Sequence, residues 1–95
     1  MISIVDCPVS LRERLICNGM PSTITRLVDT VEWLRDEKNI FVEAIVSGKK
    51  IGKDRASEYI IRVSDETGGN VSKTSELGYI DSLEIGVEMA IRIFF

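Results

Sequence analysis

Val31-Glu32-Trp33-Leu34-Arg35-Asp36-Glu37-Lys38-Asn39-Ile40-Phe41-Val42-Glu43-Ala44-Ile45 is the stretch on which the fold turns. Its first half continues a helical pattern in which Ile24, Leu27, Val28, Val31 and Leu34 recur on one face at about 100° per residue. Its second half alternates Ile40, Val42 and Ala44 with Phe41, Glu43 and Ile45, the period of a strand covered fully on one face and partly on the other. Between them Asn39 suits the left-handed residue just past a helix, with Ile40 touching Leu34 across a Schellman-type end. The spacing predicts a helix over 23–38, capped by Ser22 or Thr23, that feeds directly into a core strand.

Working outward, Ser10 and Glu13 have the spacing of a capping box, and Asn18-Gly19 supplies a stop, so a first helix is predicted over 9–17. Residues 2–5 read as a short strand or an ordered arm. The segment 47–57 is punctuated by glycine and reads as a long hairpin loop. Glu58 to Val63 is a second strand antiparallel to the first, Asp65 to Gly69 is a turn, and Asn70 to Thr74 is a polar edge strand in which Lys73 discourages further pairing. A last helix runs from about Tyr79 to Phe94. The expected fold is α+β in the order α-α-β-β-β-α, with a small antiparallel sheet of about three strands packed against helices. At 95 residues the chain makes one domain, 1–95.

Two features do not fit a minimal core. Trp33 points nearly opposite to the centre of the stripe beside it, so its indole is either covered by the first helix and its loop or open as an anchor for a partner, a role in which tryptophan is enriched. The final helix carries a main stripe of Ile80, Leu83, Val87, Ala90, Ile91 and Phe94, and a second stripe of Ile85, Met89 and Ile93. A helix on one sheet face needs an apolar arc of only about 100°. The second stripe is therefore expected to lie under the first two helices or against a second copy of the chain, in a homodimer through this C-terminal helix.

Composition excludes more than it assigns. Hydrophobic residues make up 44% and charged residues 28%, the balance of a globular chain and not of a disordered one. A net charge of -3 disfavours broad attraction to nucleic acid. There is no histidine, and Cys7 and Cys17 are the only cysteines, too few for a disulfide scaffold or a four-cysteine metal site, so neither metal nor other cofactor is expected. The start has no signal-peptide pattern, and no run reaches the ~20 apolar residues of a membrane span, which implies a cytoplasmic setting and no membrane partner.

Each candidate catalytic pattern fails on a residue or on its setting. Gly48 to Lys53 is one residue short of a phosphate loop and has Asp54 where a Ser or Thr is required. Cys17 sits at a helix C-terminus, where the dipole opposes a thiolate, and both cysteines read as buried structural thiols. Asp36-Glu37 and Asp65-Glu66 read as solvated helix and turn ends. The one distinctive charge feature is the loop with Lys49, Lys50, Lys53 and Arg55, which would meet phosphate or an acidic protein surface if it is not simply solvated. The order of elements after the first helix resembles the double-stranded RNA-binding domain in topology, but Asp81 and Glu84 stand where that family has phosphate-facing lysines.

Two segments, Val31 to Glu43 and Tyr79 to Ile91, resemble the paired signatures of short uncharacterised proteins encoded by phages and mobile elements of gut bacteria. Those proteins show a "WLRE" helix entering a strand and a late helix of the form "YEEALEAGLLEAL". Val9-Ser10-Leu11-Arg12 is similar to their N-terminal helix. This chain departs in having Ile80-Asp81-Ser82 at the start of the late helix and a shorter segment between the first two helices. The resemblance implies an accessory protein of unassigned activity and carries no catalytic residues to transfer. The expected function is a small non-enzymatic interaction protein that binds another protein through Trp33, Ile85, Met89 and Ile93, and the alternative is a nucleic-acid or nucleotide-binding module that uses the basic loop 49–55.

Overall fold

The computed structural model describes residues 5–51 and 56–95. Its elements are α1 (Val9–Ile16), α2 (Leu27–Lys38), β1 (Phe41–Ile51), β2 (Ala56–Ser64), β3 (Asn70–Ser75) and α3 (Tyr79–Phe94), the α+β order the sequence predicts. The sheet is antiparallel with strand order β1-β2-β3.

The junction behaves as its residues require. Asn39 adopts φ 55° and ψ 35°, the left-handed conformation that asparagine tolerates better than most residues, and its backbone N–H donates to the Leu34 carbonyl. The Ile40 amide donates to the same carbonyl at 3.0 Å. Both Leu34 and Ile40 are buried, so the turn is closed by apolar packing as well as by hydrogen bonds. The end of α1 is built in a related way. Gly19 has φ 104°, the Met20 amide donates to Leu15 and the Gly19 amide to Ile16, the paired bonds of a Schellman motif.

Helix α1 starts at Val9 as predicted but is capped differently, and the start of α2 differs from expectation. Ser10 does not cap α1, because the helix opens two residues earlier than a Ser10 cap would set it: Pro8 stands at the N-cap and its carbonyl accepts from the Leu11 and Arg12 amides. Helix α2 begins at Leu27 and not near Thr23, with Arg26 extended at φ -88° and ψ 147°. The cause is tertiary. The Cys7 amide donates to Thr25, the Leu27 amide donates to Val5, and Asp6 bridges Arg26, so residues 25–27 are held extended against the incoming chain. Arg12 adds to this, donating from Nε to the Ile24 carbonyl and from Nη2 to the Ser22 carbonyl, both at 3.0 Å.

The strands of the first hairpin run further than predicted. Lys50 pairs with Ser57 and Ile51 with Ala56, so the ladder continues through most of what reads as loop, with a register irregularity between Val46 and Lys50 that absorbs the extra residues. On the covered face Val42 lies opposite Val63 and Ala44 opposite Ile61. On the other face Phe41 and Ile45 are each 38% exposed, and Glu43 pairs across the strands with Arg62 at 3.4 Å. Helix α3 packs on β1 and β2, α2 on β1, and α1 on α3. Where α3 crosses the sheet, Gly86 allows the approach: a Cβ there would lie 2.5 Å from Val42 Cγ1. The β3–α3 connection is fastened by a buried pair of hydroxyls, with Ser82 Oγ 2.9 Å from Ser75 Oγ, while Ser75 Oγ also accepts from the Leu77 amide.

Candidate functional site

Helices α1 and α3 pack together but differ in length, and the difference leaves a concavity between them. At about 1.5 Å per residue, the eight residues of α1 span roughly 12 Å and the sixteen of α3 roughly 24 Å. α1 therefore covers only part of α3's outer flank. What remains is an open groove of about 480 Å³ between the two helices. Pro8, Leu11, Leu77 and Ile85 give it apolar walls, and Asp81, Glu84 and Glu88 line it from α3. These three carboxylates fall at i, i+3 and i+7, one face of the helix.

The charges in the groove are unevenly matched. Glu88 is held by Arg92 at 2.8 Å. Asp81 and Glu84 have no cation within ion-pair distance among the described residues. Burial, and then the neighbouring charge of Asp81, push the Glu84 carboxyl above its ordinary value. The apolar wall is likewise left partly wet, with Leu77 62% exposed and Ile85 half-buried.

Of the residues expected to meet a partner, Ile85 enters this groove. Met89 is half-buried and packs against the core cluster, and Ile93, farther along α3, is 45% exposed. The second apolar stripe is thus only partly occluded by the chain itself. Trp33 goes the other way. It is 9% exposed and belongs to the same core as Leu15, Met20 and Leu34, with Lys38 Nζ 5.6 Å from its ring centroid. Of the two readings of its indole, cover within the chain's own core is the one observed. The side chains of Lys49 and Lys50, together with Lys53 and Arg55, lie outside what the structure describes.

A second groove of about 360 Å³ follows β1 beside α2, lined by Val28, Val31, Ile45, Tyr79 and Leu83 among others. β1 is an edge strand, paired only with β2 in the sheet, so one side of its backbone has no ladder partner among the described residues. Arg35, near this groove, is engaged with Asp36 at 2.9 Å, a bond that lowers the Asp36 pKa and raises that of Arg35.

The thiols are not equivalent. Cys7 is buried, as the sequence predicts, and burial raises its pKa, partly offset by a hydrogen bond with Thr30. Cys17 is exposed, against expectation, because the Schellman turn directs Leu15 and Met20 into the core and leaves the intervening residues outside. Among the described residues no group of three or more His, Cys, Asp or Glu side chains is arranged to hold a metal ion. No helix among them is long and apolar enough to cross a membrane.

No protein-family model matches the chain, and comparison with curated proteins and with solved structures yields no match. Reasoning about the site therefore rests on its geometry.

Proposed function

We propose that this chain is a small non-enzymatic accessory protein, of the phage and mobile-element kind its helix signatures resemble, that acts by binding another protein. The observation that carries this reading is the α1–α3 groove, in which Leu11, Leu77 and Ile85 form an apolar strip that the chain leaves partly open. An open trough with apolar walls and a charged rim has the anatomy of a protein contact, where a desolvated apolar centre is ringed by polar groups. Exposed Ile93 extends the apolar surface along α3 and offers the contact through which a second copy would dimerise.

Site-specific photo-crosslinking tests the reading. A photoreactive residue placed at Leu77 or Ile85 is expected to form one discrete adduct in cells, whereas the same residue at Lys73, exposed on β3, forms none. An adduct of twice the chain's mass identifies the homodimer. Indistinguishable adduct patterns from all three positions would overturn the proposal.

A further inference from the structure

From the groove's uncompensated charge we infer that its occupant is a short protein segment that sets an arginine or lysine over Asp81 and Glu84 and a leucine-sized side chain between Leu11 and Ile85. This inference rests on the groove being the binding surface proposed above, and adds the chemistry of what binds there. Charge complementarity supplies the argument. Within the groove the Glu88 carboxylate is already neutralised by Arg92, while Asp81 and Glu84, one helical turn apart, make no ion pair among the described residues. On α1, Arg12 is spent on the Ile24 and Ser22 carbonyls, and Arg14, which also lines the groove, makes no ion pair with either carboxylate, so the lining keeps one more negative charge than positive. Two neighbouring carboxylates repel each other, and Glu84 is already partly desolvated, so a ligand cation gains from both.

The apolar walls narrow the choice further. A metal ion or free polyamine would use the carboxylates alone and leave Leu11, Leu77 and Ile85 wet. A segment with an apolar side chain next to its cation covers both surfaces at once, gaining about 25 cal/mol for each Å² of apolar area withdrawn from water. Length agrees: from Asp81 to Arg92 the helix rises roughly 16 Å at 1.5 Å per residue. That length matches about five residues of extended chain at roughly 3.3 Å each.

The test uses the full chain, isotope-labelled, titrated with a blocked five-residue peptide that carries Arg and Leu separated by one Ser, and with twins having Glu for Arg or Ser for Leu. The Arg/Leu peptide is expected to shift the amides of Leu11, Leu77, Asp81, Glu84 and Ile85, and the Glu twin to leave them unmoved. The double variant Asp81→Asn/Glu84→Gln should weaken binding roughly tenfold, about threefold for each exposed charge pair lost. Both changes conserve shape, and unchanged amide spectra elsewhere would show that the variant is folded. If the Arg and Glu peptides bind the groove alike, or the double variant binds as wild type, the cationic occupant is refuted while the groove survives as an apolar docking surface. If no peptide moves the groove amides, both the groove and its occupant are refuted.

Discussion

Replacing Gly86 with alanine sets two well-understood effects against each other, and the structure decides between them. In a helix interior alanine is favoured over glycine by about 1 kcal/mol, so on local grounds Gly86→Ala stabilises α3. Against that, the new methyl would lie 2.5 Å from Val42 Cγ1 and 3.2 Å from Ile61 Cγ2. Ordinary carbon contacts fall near 3.5–4.0 Å, so the overlap with Val42 is about 1 Å or more. Val42 has little room to yield, because it is buried and β-branched, and Ile61 behind it is fully buried. Overpacking of this kind costs about 1–3 kcal/mol. The net expectation is a loss of up to about 2 kcal/mol, a fall in Tm of as much as roughly 10 °C for a domain of this size. Urea denaturation followed by circular dichroism reads it directly. The cycle partner is Val42→Ala, which removes the obstructing methyls. In that background Gly86→Ala should be neutral or stabilising, giving a coupling of about 1–3 kcal/mol between the two positions. A Gly86→Ala protein that is more stable than wild type, or one that loses the same amount in both backgrounds, would refute the close helix–sheet approach on which the fold's packing rests.

Three further outcomes are expected. Asn39→Ala should cost about 1 kcal/mol because a Cβ-bearing residue without a local side-chain hydrogen bond resists the left-handed region, while Asn39→Gly should keep or raise stability; equal losses from both would contradict the observed φ of 55°. In a thiol-reactive dye assay Cys17 should react at once and Cys7 only as the chain opens, since burial both hides the Cys7 thiol and raises its pKa; two equally fast thiols would count against the N-terminal packing. Glu84→Gln should be more stable than wild type at neutral pH. The folded pKa of Glu84 is raised above its ordinary 4.5, so its contribution is fully present below that value and is lost as pH rises through the folded pKa. The gap between variant and wild type should therefore close on acidification, and a gap that widens would reverse the sign assigned here.

Local chemistry explains which parts of the fold were legible in sequence. Asn39 announces its turn because few residues accept that backbone conformation, and the change from a period of 3.6 to one of 2 is visible within the junction itself. Long-range pairing hides the rest. Ser22 and Thr23 have the right chemistry to cap a helix, yet the backbone just after them is claimed by Val5 and Cys7, some twenty residues earlier, and no local pattern encodes that contact. Gly48 and the lysines of 47–51 have loop composition, yet cross-strand pairing carries the segment into β1 once the register shifts. Trp33 sits off the stripe on a helical wheel because the wheel treats α2 as having one covered side, whereas the loop after α1 supplies cover from a second direction.

The candidate site was half legible for a related reason. An apolar arc on α3 wider than a sheet can cover signals that some other surface must meet it, and Ile85 is found that way. Nothing in the arc says how much of it α1 will reach. That follows from length: a helix of eight residues, opened early by Pro8 and stopped at Gly19, ends before it can shield a helix twice as long. The carboxylates acquire meaning only then. In sequence Asp81 and Glu84 look like ordinary acidic residues near a helix start, where the macrodipole favours them. Beside α1, Glu84 is half-buried with Asp81 as its neighbour and makes no ion pair among the described residues. Burial first, and then the charge of Asp81, raise the pKa of Glu84 against the lowering that a helix start alone would give, a cost that a cation placed over the two carboxylates would relieve.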